Sequence, residues 1–187
     1  LLTLTAGESR LDADFGYVAT PPTYALSKVL NSVNPIRHGE PISFTIRITN
    51  TGGFPITTLP LTDTYDTNYL VYVGSVPPTE NNINDGVINW NDLTGTPKGF
   101  GVELAPGQSF AIVVSFVGID DTTGLAAQTP CVEDGNTCNV ATVAGAKYDP
   151  DGPGGVPEQG PLPPKSDHDN VQIIVPTSVS LTNRLLT

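Results

Sequence analysis

Apolar residues in this chain recur in short stretches with a period of two, and almost nowhere with the spacing of a helix. The clearest case is SFTIRITN (43–50), where Phe44, Ile46 and Ile48 alternate with Thr45, Arg47 and Thr49. Side chains at i, i+2 and i+4 share one face of a strand, so this stretch has one apolar and one polar face. TLPLTDTYD (58–66) alternates again. YALSKVLNS (24–32), NYLVYVGS (68–75), GVINWNDL (86–93), SFAIVVSFVGI (109–119), NVATVAGAKY (139–148) and VQIIV (171–175) have the length and the β-branched and aromatic content of strands. Turn chemistry separates them, as in NPIRHGEP, NTGGFP and LAPGQ. Roughly seven to nine short strands without an amphipathic helix predict an all-β fold, an immunoglobulin-like antiparallel β-sandwich with extended terminal strands.

The same pattern divides the chain. Residues 1–19 hold two strand-like pieces, LLTLTAG and LDADFGYV, too few to bury a core alone, and TPPT (20–23) reads as a linker. The sandwich spans 24–175, with YDPDGPGGVPEQGPLPPKSDHDN (148–170) as a long loop before its last strand; residues 176–187 read as one more strand or a linker. Orphan strands need a sheet edge for their backbone groups. They either fold back on their own domain or add to a neighbouring copy, and the second arrangement, head-to-tail and non-closing, builds a homopolymeric filament.

Composition narrows the partners. Nineteen Asp and Glu against eight Lys and Arg give a net charge of −11, which disfavours nucleic acid and anionic membrane. No apolar run approaches the roughly 20 residues that span a bilayer, so no membrane insertion is expected of this chain, and no signal peptide is evident. The chain opens at Leu1 without a methionine, which reads as a processed piece or a fragment of something longer. Its two cysteines, Cys131 and Cys138, lack zinc spacing and histidine company. They read as a local disulfide, and hence as a sign of an oxidising, extracellular compartment.

FTIRITNTGGFPITTLPLTDTY (44–65), LAPGQSFAIVV (104–114) and NVATVAG (139–145), in that order, resemble the DUF11 repeat domain of bacterial and archaeal surface proteins and the related fimbrial isopeptide-forming domains. AGESRLDADFGYV (6–18) resembles the closing strands of an SdrD-type B repeat, of which only the tail is present. The resemblance implies an extracellular, cell-surface structural or adhesive protein that turns over no substrate.

Three polar residues stand on apolar faces: Lys28 with Leu26 and Leu30, Asp63 with Leu59, Leu61 and Tyr65, and Asn139 with Ala141 and Val143. Each buried alone carries a desolvation cost of several kcal/mol. Together they are the reactants of a self-made isopeptide bond, a lysine amine, an asparagine amide and an acid that polarises it. In the fimbrial domains this chain resembles, a lysine on the first strand, an asparagine on the last and an acid between them react in this way, and Lys28, Asn139 and Asp63 fall at matching places. The alternative is structural: Asn139 caps a strand edge, Lys28 snorkels outward and Asp63 bonds a turn.

Other candidates are weaker. Asp149, Asp151, Asp167 and Asp169 flank one loop, and alternating carboxylates suit calcium with its roughly 6–8 oxygen ligands, although Asp-Gly-Pro stretches are also ordinary turn chemistry. Trp90, the single tryptophan, stacks on a sugar if exposed and packs the core if not. His38 and His168 lack a nucleophile context and no G-x-S-x-G elbow is present, so an enzyme is not expected. The expected function is a structural subunit of an extracellular filament, pilus or stalk; the alternatives are a monomeric adhesin binding glycan or protein, and a passive spacer repeat.

Overall fold

A computed structural model describes residues 20–84, 86–123, 137–151 and 155–175. The orphan strands at 1–19, the terminal segment 176–187 and Cys131 lie outside the described residues. Among those described there is no helix, and the protein is an all-β, immunoglobulin-like antiparallel β-sandwich. The first sheet runs in the order β1 (Tyr24–Leu30), β3 (Pro41–Asn50), β9 (Ser109–Gly118), β6 (Leu70–Val76). The second runs β12 (Lys165–Asp169), β10 (Asn139–Val143), β5 (Leu61–Thr64), β8 (Val87–Trp90), β7 (Asn82–Asn84). Two small pairings close the ends: β4 (Ile56–Thr58) with β11 (Lys147–Tyr148), and β2 (Ile36–Arg37) in parallel with β13 (Ile173–Ile174).

The period-two faces meet in the interior. Ile42, Phe44, Ile46 and Ile48 of β3 and Ile112, Val114 and Phe116 of β9 face Leu61, Ile88, Trp90, Ala141 and Val143 of the second sheet, all buried. Phe116 gathers Phe44, Tyr65 and Tyr72 around it at centroid separations of 6.0, 4.9 and 5.6 Å. These are the offset and edge-on contacts that ring quadrupoles favour.

Two expectations change. TPPT, read as a linker, is tied to the NTGG turn, because Thr51 and Gly52 donate to Thr23 O and Gly53 donates to Thr20 O at 3.0–3.2 Å. A Cβ on Gly52 would stand 2.5 Å from Thr23 N, so only glycine allows this approach. The second change lies in the loop 148–170, which contains a true strand, β12, pairing with β10 from Asn139↔Asp169 to Val143↔Lys165. KSDHD has no apolar residue, so a hydrophobic pattern cannot find it. Its strand character shows only as alternation, with Lys165, Asp167 and Asp169 half-buried and Ser166 and His168 exposed. NVATVAGAKY also breaks into β10 and β11 around Gly145, whose φ of 88° suits glycine.

The turn after β3 is held by Asn50, which is fully buried. Its Nδ2 donates to Phe54 O at 2.8 Å and Leu104 O at 2.7 Å, and its Oδ1 accepts from Gly52 N at 3.0 Å. Replacing Asn50 by Ala removes all three bonds and is expected to lower stability by about 2 kcal/mol. Urea unfolding of the two proteins checks this, and coincident midpoints would contradict it.

Candidate functional site

Three strands carry one polar constellation into the apolar interior. Asp63 of β5 lies opposite Ala141 of β10, so Asn139, two residues earlier on β10, is its diagonal neighbour on the same face. Lys28 arrives from the other sheet, on the edge strand β1. Lys28 is 3% exposed, and Asp63 and Asn139 are wholly buried. The Lys28 ammonium hydrogen-bonds Asp63 Oδ1 and stands 5.3 Å from the centroid of the Phe44 ring. Asn139 Nδ2 donates to Thr64 O at 3.2 Å.

Burial pushes the Lys28 amine below its usual range, against the opposing pull of Asp63 and, at longer reach, Asp169 and Asp167. Burial likewise pushes the Asp63 carboxyl up, with Lys28 and the Asn139 amide opposing. Both shifts favour the uncharged forms, a free amine and a protonated acid, which hold the same single proton as the ion pair. Two acceptors in this site have no hydrogen-bond partner, Asp63 Oδ2 and Asn139 Oδ1. A protonated carboxyl carries one O–H donor that a carboxylate lacks.

The other sequence candidates fall elsewhere. Trp90 is buried in the core at 1% exposure, so it offers no face to a sugar. Asp151 N donates to Asp149 Oδ1 at 3.1 Å, and Asp151 accepts from Val156 N, which is turn chemistry. Asp167 and Asp169 instead face β1, and no group of three or more His, Cys, Asp or Glu able to hold a metal ion occurs among the described residues. The structure therefore does not bring the four aspartates together. His38 Nε2 lies 3.0 Å from Ile119 O at an exposed turn, and His168 is exposed on β12. Cys138, directly before Asn139, is buried, and no described cysteine is free.

Sequence reasoning missed the contacts that hold the outer edge of β1. The Lys165 ammonium donates to Tyr24 O, Lys28 N donates to Asp167 Oδ2 at 2.7 Å, and Leu30 N donates to Asp169 Oδ2 at 2.6 Å. The only signal for them was the alternation within KSDHD.

No protein-family model matches this chain, and no curated protein matches it in sequence. The resemblance to DUF11 and isopeptide-forming repeats therefore stands on the quoted motifs alone. Among solved structures, a cohesin module from a Clostridium perfringens family 33 glycoside hydrolase is similar at 11% identity and a TM-score of 0.45, covering 82% of this chain and 100% of its own. The sixth cohesin of Acetivibrio cellulolyticus scaffoldin B, solved with a dockerin, gives 16% identity and a TM-score of 0.41 over 80% of this chain and 99% of its own. A CARDB domain from Pyrococcus furiosus, solved with two metal ions, gives 10% and 0.40 over 82% of this chain and 89% of its own.

The buried carboxyl makes a pH prediction. Replacing Lys28 by Met removes the cation and leaves Asp63 buried without it. A folded pKa raised above the unfolded value of 3.8 contributes stability that is complete below that value and is lost as pH rises toward the folded one. Relative to a Lys28→Met, Asp63→Asn double variant, the single variant should lose about 1.4 kcal/mol per pH unit above that point. Denaturant unfolding at several pH values checks it, and parallel pH profiles for the two would contradict it.

Proposed function

We propose that this chain is a self-crosslinking structural module of an extracellular surface protein, and that Lys28 and Asn139 are the residues it joins. The observation that carries this reading is the buried Lys28–Asp63–Asn139 constellation, in which Asp63 Oδ2 and Asn139 Oδ1 lack a protein hydrogen-bond partner. In the uncharged form of the pair, the Lys28 amine attacks Asn139 Cγ while the Asp63 carboxyl donates a hydrogen bond to Asn139 Oδ1, where negative charge develops. The tetrahedral intermediate collapses with loss of the Asn139 nitrogen. Asp63 relays the proton from the attacking amine to that nitrogen, which leaves as ammonia. One N–C bond forms and one breaks, with no oxidant or cofactor.

The product would tie β1, the edge of the first sheet, to β10 in the second. Load applied between the two ends of the sandwich would pass from Lys28 directly to Asn139 and bypass the chain between them. That route suits a unit of a fibre or stalk on a cell surface. In such a fibre we place residues 1–19 and 176–187 as the strands that join each subunit to the next copy. A disulfide between Cys131 and Cys138 would restrain the loop that enters the reacting strand, and it belongs with an extracellular location.

Single-molecule pulling tests the reading. The native chain should release no length between Lys28 and Asn139 at any force below covalent rupture, whereas an Asn139→Ala variant should release that whole segment when it unfolds. Full extension of the native chain would refute the crosslink.

A further inference from the structure

β1 is bonded to β3 along one side only, from Tyr24↔Asn50 to Leu30↔Phe44. Among the described residues no strand pairs with its other side, which faces β12 across the edge of the sandwich. An exposed strand edge of that kind slips, frays or recruits foreign strands unless something covers it. Here the cover is three side chains of one polar strand: Lys165 on the carbonyl of Tyr24, Asp167 on the N–H of Lys28 and Asp169 on the N–H of Leu30. The two carboxylate contacts share one sequence offset, 139 residues, so they act as successive rungs of a ladder built from side chains.

β12 is itself registered by backbone pairing to β10, with Asp169 directly opposite Asn139 and Asp167 opposite Ala141. The strand that carries the amide thus fixes the strand that carries the carboxylates, and the carboxylates fix the strand that carries the amine. We propose that Asp167 and Asp169 are positioning residues for the Lys28–Asn139 ligation, holding the β1 backbone at Lys28 and Leu30 so that the amine is presented to Asp63 and Asn139. This inference rests on the crosslink reading above. It differs from that reading in placing the determinants of register in a strand that touches neither reacting atom.

Charge and reach act with opposite signs here, which separates them. Both carboxylates favour the protonated Lys28 amine and so oppose attack through their charge. Asn at 167 and 169 keeps an acceptor oxygen and removes the charge, while Ala removes both. The experiment follows ammonia loss by intact mass of the reduced full-length chain over time, for the native protein, Asp167→Ala with Asp169→Ala, and Asp167→Asn with Asp169→Asn. The alanine pair should slow the reaction by about a hundredfold, the penalty of a misplaced reactant. The asparagine pair should react within a few-fold of the native rate or faster.

An alanine pair that reacts at the native rate overturns the inference, and so does an asparagine pair as slow as the alanine pair. A native chain that never loses ammonia overturns the crosslink reading itself. Native Trp90 emission checks that each variant is folded; where the alanine pair fails that check, the single Asp167→Ala and Asp169→Ala variants are judged by the same rates.

Discussion

The fully buried pair of Lys28 and Asp63 constrains the rest of the structure. An ammonium and a carboxylate removed from water each lose several kcal/mol of hydration, and a single ion pair regains that only with good geometry and satisfied neighbours. The two groups are in direct contact but their neighbours are incomplete, because Asp63 Oδ2 and Asn139 Oδ1 have no hydrogen-bond partner. Apolar residues of similar volume would fill the same space without this cost. The proposed crosslink would give this polar trio a chemical use, because low polarity favours an uncharged amine beside a protonated acid.

The amine and the amide belong to different sheets, so the site depends on how the two layers are held together at one edge. A sandwich with a free edge strand has little to fix that strand's height against the opposite sheet. Here the inward positions of β12 are charged, and they reach across to the backbone of β1. Asp167 and Asp169, two of the aspartates that suggest calcium from sequence, accept hydrogen bonds from the backbone N–H groups of β1.

Much of the architecture was legible. Phe44, Ile46 and Ile48 declared the buried face of β3, and the faces assigned to Lys28, Asp63 and Asn139 are the buried ones. The parts that were not legible share a cause: they are built from polar or short segments. KSDHD reads as loop because its inward side is charged, and the role of Asn50 depends on a carbonyl 54 residues away that local sequence does not reveal. The fate of Trp90 turned on burial, which the GVINWNDL pattern left open. TPPT carries linker chemistry, yet Gly52 leaves room for it to dock.

Peptide mapping of the native chain, reduced and digested, shows whether Lys28 and Asn139 are joined. A crosslinked chain yields one species in which the peptide containing Lys28 is linked to the peptide containing Asn139 and the total is lighter by one ammonia. Two separate peptides, with a free Lys28 amine and an intact Asn139 amide, would contradict the crosslink.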